Sequence, residues 1–591
     1  MSPAQAVDEN VLEDYFKLCI DKGAKVAVVV LPVHPNVKKT YNADAVKTFR
    51  DTINQIRKKT NWKAKFIDLL DIGLAGNLFQ DKTHLNAEGK AAVSVLLTSR
   101  LYFIDIIPPQ SLSIADDDFF NLFTKHFPRD RNFPDDDKPF IHYVFCKIAC
   151  EDFKRLSKTL PHETCMDLMA RVFSELPYSY LANLMDIFPK DDFNELATRI
   201  FNMTEENIRR KDKIKVGYYS DFSSHWFGDD LFNLFVQDGR FEPIIFSPVD
   251  GWYNNEFDVS EFRSDAERHK AHGLNVFEMK RDSLDVPKTD ILFRLRPYPE
   301  YIPPAFKLTN IKPKETLLVN IPYSFFVDAI THPLSKVLWK KFFPSTIMLE
   351  RHKKLNKFSI PQGFYSGYPK LDVFFKPESK FRFDWKMTRP DAKKIIWAPH
   401  HSIGFGTLTA TFQWNYQFMY EFAKAHPEIS WVVKPHSLLS HQAIWSKVFP
   451  SNEALREYFQ KWDDLPNARY YTGTYYQDIF ATSDGMIQDC ISFIAEYQYV
   501  NKPMIYLTRL GSVGLGELGE EILNASYTVD GKDLDAIAAM IQRVFIEGDD
   551  YKAAERREVF DKYLNYPKAN GMLASEFIFK NICDELKLSP R

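Results

Sequence analysis

Glycine is scarce in this chain of 591 residues: 22 in all, about half the usual ~7% share. So little glycine leaves material for few tight phosphate loops, and no G-x-x-x-x-G-K-[ST] segment occurs. The zinc-protease pattern H-E-x-x-H and the nucleophile elbow G-x-S-x-G are missing too, so ATPase, zincin and ordinary α/β-hydrolase chemistry have no support. The six cysteines (Cys19, Cys146, Cys150, Cys165, Cys490, Cys583) form no C-x-x-C pair, which argues against a zinc site and suits a reducing, cytoplasmic compartment. Long apolar runs are lacking as well. The longest, Val26 to Val33, is far below the ~18 residues of a membrane span, so membrane association is expected to be peripheral or through a partner. Charge of one sign is not in excess: Lys+Arg 76 against Asp+Glu 79 gives a net charge of −3, without the basic surplus of a dedicated nucleic-acid binder.

What is present is an ordinary globular balance, 45% hydrophobic and 26% charged with 50 Phe, 28 Tyr and 10 Trp. Each of several domains can therefore bury a core without staples. Residues 25–31 (KVAVVVL) and 64–70 (AKFIDLL) read as buried strands separated by a helical pattern from Ala45 to Lys58, the order of a parallel sheet. Between 109 and 212 strand runs disappear and Asp/Pro-rich stretches alternate with helical ones, which predicts a mostly helical connector. From 213 the runs KIKVGYYS, FEPIIFS, TDILFRL and ETLLVNIPYS mark one α/β domain. From about 393, KKIIWAPH, ISWVVKPH, RYYTG, DGMIQDC and PMIYLT mark another, followed by helices. The expected division is 1–108, a partial α/β module; 109–212, the connector; 213–380, an acceptor-side Rossmann-like domain; and 381–591, a nucleotide-side Rossmann-like domain with closing helices.

Ligands of such sheets bind beyond the carboxyl ends of the strands, and the unusual polar residues fall there. One strand runs into Pro399-His400-His401-Ser402, a second into Lys434-Pro435-His436-Ser437, a third into Asp489-Cys490-Ile491-Ser492 with Glu496 a turn later. Lys434 and His436 offer a cation and an imidazole to phosphate oxygens or a leaving phosphate. Ser492 can open a helix whose free N–H groups favour a diphosphate, and Glu496 can accept from ribose hydroxyls. Plain capping by Asp489 or Ser492 is the competing reading. The stretch Gly514 to Gly519 matches G-x-G-x-x-G but does not follow the first strand of a βαβ unit, so it reads as a loop. The DDD runs at 116–118 and 135–137 read as solvated turns.

Six motifs stand in order: IPYSFF (321–326), SGYPKLD (366–372), WAPHHSI (397–403), KPHSLL (434–439), SDGMIQDCISFIAEY (483–497) and KPMIYL (502–507). On these, residues ~213–585 resemble the CDP-glycerol glycerophosphotransferase family, the teichoic-acid polymerase-like enzymes of GT-B fold. The resemblance implies transfer of an alditol phosphate from a CDP-linked donor to a surface polysaccharide or teichoic-acid-like acceptor, with no cofactor or metal. It implies that His436, Asp489 and Ser492 contact the donor diphosphate and Glu496 the ribose, with Ser402 and Lys434 in the same donor-binding set. His400 or His401 is the expected acceptor-side base, and His332 an outside candidate. Where family members carry W-H-G-T-P-L-K this chain reads IPYSFFVDAITHPLSK, and for D-Y-S-S it has Asp489-Cys490-Ile491-Ser492. The N-terminal piece resembles the last part of an SGNH-type esterase or acyltransferase, with Asp81 and His84 in D-x-x-H. Its nucleophile strand would precede residue 1, so a truncated or inactive module is expected. Two other functions stay open: a GT-B glycosyltransferase using a nucleotide sugar, and a non-catalytic assembly protein of such a pathway.

Overall fold

The computed structural model describes residues 156–589, apart from 221–225, 250–259, 295–301, 327–332 and a few isolated positions. Before residue 156 it describes parts of 13–21 and 146–154 and the stretches 27–30, 43–59 and 65–68. Asp81, His84, His332 and the DDD runs lie outside the described residues. The chain divides into two compact units, Met1–Ile200 and Phe201–Arg591.

In the first unit, β1 (Ala27–Val30) and β2 (Lys65–Asp68) pair in parallel, Val28 opposite Phe66, with the helix Ala43–Lys59 between them in sequence. That helix buries Ile53 and Ile56 and exposes Lys47 and Asp51 one turn apart, the amphipathic pattern of a helix lying on a core. Further on the unit is helical: His162–Glu175 and Tyr178–Leu184, each entered from a proline, precede the long helix that starts at Lys190. Among the described residues no strand lies between Asp68 and Ile214.

The second unit holds two parallel sheets. The first has seven strands, β3 (Ile214–Tyr219), β4 (Phe241–Pro248), β5 (Val276–Met279), β6 (Ile291–Arg294), β7 (Leu317–Asn320), β8 (Lys340–Phe343) and β9 (Gln362–Tyr365), in the order β5-β4-β3-β6-β7-β8-β9. The second has six, β10 (Lys393–Ala398), β11 (Ile429–Val433), β12 (Ala468–Tyr470), β13 (Gly485–Gln488), β14 (Met504–Thr508) and β15 (Tyr527–Asp530), in the order β12-β11-β10-β13-β14-β15. In both, the chain first winds one way and then returns to the far side of its starting strand. This is the doubly wound Rossmann order, whose crevice opens where the direction reverses. The fold is thus α/β, a GT-B-like pair of Rossmann-type sheets.

Strands such as Ile429–Val433 and Leu317–Asn320 are buried along their whole length, as helices on both faces of a parallel sheet require. The core of the second sheet is strongly aromatic: Trp397, Trp431, Trp462 and Phe412 are buried together with Met419 and Ile487. The closing helices do not all belong to that sheet. The last one, Ala574–Glu585, returns to the first sheet and packs on the helix Asp229–Gln237, with Phe579 edge-on to Phe235 at 5.0 Å. Its N-terminus is capped from a distance by the buried Asp372. That carboxylate accepts the Ala574 and Ser575 amides at 2.9 Å, the Ser575 hydroxyl and the Tyr566 hydroxyl, each at 2.6 Å. Gly367 makes room for this joint: its φ is +82°, and a Cβ there would lie 2.0 Å from the Tyr566 ring.

Candidate functional site

The residues that follow β10, β11 and β13 come from three neighbouring central strands and lie beyond their carboxyl ends, and β10 and β13 flank the switch point of the second sheet. Three imidazoles meet there. The ring centroids of His400 and His401 are 4.2 Å apart, those of His401 and His436 4.1 Å, and those of His400 and His436 5.1 Å.

Each imidazole is held differently. The His400 ring is buried, and its Nδ1 lies 2.8 Å from the Ser402 hydroxyl and 3.1 Å from the Thr409 hydroxyl. The His436 Nδ1 accepts the Leu438 amide at 3.1 Å. The His401 Nδ1 is buried with no hydrogen-bond partner. Burial, reinforced by the neighbouring His401, holds the His400 pKa well below the usual imidazole value, and burial lowers that of His401 to about 4. Both are therefore neutral near pH 7.

Asp489 stands beneath this cluster. One carboxylate oxygen accepts the His400 amide at 2.6 Å, and the other accepts the Thr411 amide and, at 2.7 Å, the Thr411 hydroxyl. Burial pushes its pKa up to about 6 against the pull of these bonds. With both oxygens engaged by the chain, and with a charge that repels phosphate, Asp489 is placed to hold the loop that carries His400. Ser402 likewise lies beneath His400, its hydroxyl also meeting Thr407, Thr409 and the Thr409 amide. Across the same loop Arg509 donates to the carbonyls of Ser402, Ile403 and Ala410 at 3.3, 2.7 and 3.1 Å.

Lys434 is also buried. Its ammonium donates to the Gly473 carbonyl at 2.7 Å and sits 5.3 Å from the centroid of the Tyr471 ring. Ser492 is half-buried on the short helix Ile491–Glu496. At the end of that helix the buried Glu496 accepts a hydrogen bond from the Tyr476 hydroxyl. Lys370, from the first-sheet side, lies over the same tyrosine at 4.5 Å from the ring centroid. Burial raises the Glu496 pKa and lowers that of Lys370, and in each case the charge of the other opposes the shift. Glu496 is therefore engaged with Tyr476 and Lys370 across the junction of the two sheets.

The structure thus brings His400, His401 and His436 together, sets Ser402 and Asp489 behind them, and places Lys434 and Glu496 in one layer with Tyr476, whose ring lies 6.0 Å from the Lys434 ammonium. Sequence reasoning missed Lys370, Thr409, Tyr476 and Arg509. Lys370 was visible as part of SGYPKLD, and Arg509 as the polar residue directly after the strand run PMIYLT; Thr409 and Tyr476 lie in stretches with no pattern that marks a site. The G-x-G-x-x-G stretch opens the helix Gly516–Asn524 behind a loop, and the Val513 amide bonds the Thr407 carbonyl.

No protein-family model matches the chain, and no curated protein matches it. Among solved structures, the GT-B-like pair of sheets is similar to that of a UDP-GlcNAc 2-epimerase from Neisseria meningitidis bound to UDP-GlcNAc, at 11% identity and a TM-score of 0.41 over 63% of this chain and 100% of that one. It is similar to MnaA of S. aureus with UDP, at 12% identity and a TM-score of 0.40 over 64% and 98%. It is similar also to the wall teichoic acid polymerase TagF, at 10% identity and a TM-score of 0.40 over 67% and 94%. At such identities and TM-scores the likeness says nothing about activity. Among the described residues no helix is long and apolar enough to cross a membrane.

Proposed function

We propose that the chain is a transferase that moves an alditol phosphate, or a related phosphate-linked group, from a CDP-linked donor to a surface polysaccharide or teichoic-acid-like acceptor. The observation that carries this reading is the meeting of His400, His401 and His436 at the switch point of the second sheet, with Lys434 buried at the end of the neighbouring strand. The ordered motifs of the sequence supply the donor. In-line attack of an acceptor hydroxyl on the β-phosphorus forms a new P–O bond, breaks the P–O bond to the α-phosphate and releases CMP. Such transfer depends mainly on positioning and charge stabilisation. His401 takes the acceptor proton as a neutral imidazole, while His436 and Lys434 stabilise the departing phosphate. Ser492 faces the donor diphosphate, and Glu496 receives the ribose once Tyr476 turns aside.

Turnover of CDP-glycerol and CDP-ribitol, followed by CMP release, tests the reading together with calorimetric titration of CMP, CDP, UDP and GDP. Cytidine-selective binding is expected, with turnover at least 100-fold lower in His436→Ala at unchanged melting temperature. Full turnover by that variant overturns the assignment. Selective UDP or GDP binding with a glycosidic product points instead to sugar transfer, and the absence of any nucleotide binding to an assembly role.

A further inference from the structure

We propose that Ser402 fixes the proton of His400 on Nε2, so that the histidine cluster meets its ligand as a set of N–H donors and seats a phosphoryl oxyanion rather than a divalent cation. The inference deepens the preceding reading, since the seat is the phosphate site of the donor.

One ring nitrogen from each of the three histidines lies within 4.8 Å of the other two, a spread that by itself admits a metal ion. Proton positions decide between the two. The Ser402 hydroxyl oxygen receives the Thr409 amide at 3.0 Å and the Thr407 hydroxyl at 3.1 Å, which uses both of its lone pairs. Its own proton must then point outward, and the nearest acceptor is the His400 Nδ1 at 2.8 Å. The Ser402 amide faces the same nitrogen at 3.4 Å. A nitrogen that accepts from a hydroxyl and an amide carries no proton, so the neutral ring holds its proton on Nε2. At His436 the argument is stricter, because the group facing Nδ1 is the Leu438 amide at 3.1 Å, and an amide cannot reverse its direction. His436 is an Nε2–H tautomer as well.

A metal ion would need the lone pair of Nε2 on both rings. Each proton would have to move to Nδ1, at His436 straight against the Leu438 N–H. An oxyanion needs the reverse, rings that carry their proton on Nε2 before binding, which is the preorganised arrangement that stabilises developing charge.

The test uses the full chain, deuterated and labelled with 15N-histidine, with ring signals assigned by single His→Gln variants. Long-range 1H–15N spectra are expected to report Nε2–H at His400 and His436, and inorganic pyrophosphate to shift both. Ser402→Ala, which removes the hydroxyl but keeps the weaker amide contact, is expected to shift the His400 ring signals toward the Nδ1–H form, to leave His436 unchanged and to weaken pyrophosphate binding several-fold, with Ser402→Thr restoring the original spectrum. Thr407→Val, which frees one lone pair of Ser402 while keeping a side chain of similar size, shifts His400 the same way if Ser402→Ala does not fold. Nδ1–H at either ring in the unsubstituted protein overturns the inference. So does an unchanged His400 in both variants, or micromolar Zn2+ binding that His436→Gln abolishes. Failure of every CDP-linked donor to turn over, with these tautomers found, removes the proposed transfer and leaves the seat standing.

Discussion

Lys502 follows the helix Gln477–Thr482 in space and closes its end, donating its ammonium protons to the carbonyls of Phe480, Ala481 and Ser483. Burial nevertheless pulls its pKa down to about 8 from an ordinary value near 10.5. Between those two values the unfolded chain binds more protons than the folded one, so this residue makes stability rise with pH through that window. Its unfavourable contribution is complete below pH 8 and gone by about pH 10.5. Denaturant titrations at pH 7.5, 9 and 10 should show Lys502→Met losing relative to the unsubstituted protein as pH rises; parallel curves would refute the shift. Asp372 works through geometry instead. Asp372→Ala strands two buried amides at the start of the last helix, and an expected loss of about 2–4 kcal/mol should appear in the urea midpoint. Residues of this kind are hard to read in a sequence. Asp372 sits some 200 positions from the amides it caps, whereas His400, Lys434 and His436 stand directly after runs of buried apolar residues that announce a strand end.

The loop between β10 and the helix Phe412–Ala425 is clasped at its neck by Asp489 and, nearer its tip, by Arg509. Arg509 also stacks on Trp414 at 5.2 Å, with Lys532 over the same indole at 4.4 Å. Replacing Arg509 with Met removes hydrogen bonds to three carbonyls while keeping the stem, so amides of 402–410 should exchange at least ten-fold faster, with the sheet core unaffected. Equal exchange in both proteins would mean that the loop stands without it. At this scale the sequence is legible wherever apolar residues dominate an element: β3, β4, β6, β7, β10, β11, β13 and β14 each lie in one of the apolar runs. β8 escapes because only Phe342 and Phe343 follow its Lys340-Lys341, whereas β10 continues its own lysine pair with Ile395-Ile396-Trp397. Both lysines of β8 are buried, Lys340 in an ion pair with Glu585 of the last helix, and no local pattern could reveal a partner so distant. β5, β9 and β15 are short edge or near-edge strands with partly exposed residues, where periodicity is weakest.

Across the second unit, the two sheets are joined at Lys370, Tyr476 and Glu496. A buried charge such as Glu496 costs most when the opposite charge near it is removed. Lys370→Met and Glu496→Gln should therefore each destabilise by about 3 kcal/mol, while the double substitution costs less than their sum by 1 kcal/mol or more. Additivity in urea denaturation would show that the charges are independent. The two-sheet plan is the part of the molecule most legible in the sequence, since alternating strand and helix runs dictate a parallel sheet. The return of the last helix is not, because its amphipathic face would suit either sheet.

That return has a consequence for how the protein is made. Phe235 and Phe241, near the beginning of the first sheet, find Phe579 as a neighbour, and Lys340 finds Glu585. A ribosome must add more than 200 residues after β8 before either contact can form. The first sheet therefore waits, with its aromatic face unsealed, while the second is synthesised, and the helix that carries Phe579 and Glu585 completes the half of the second unit that emerged first.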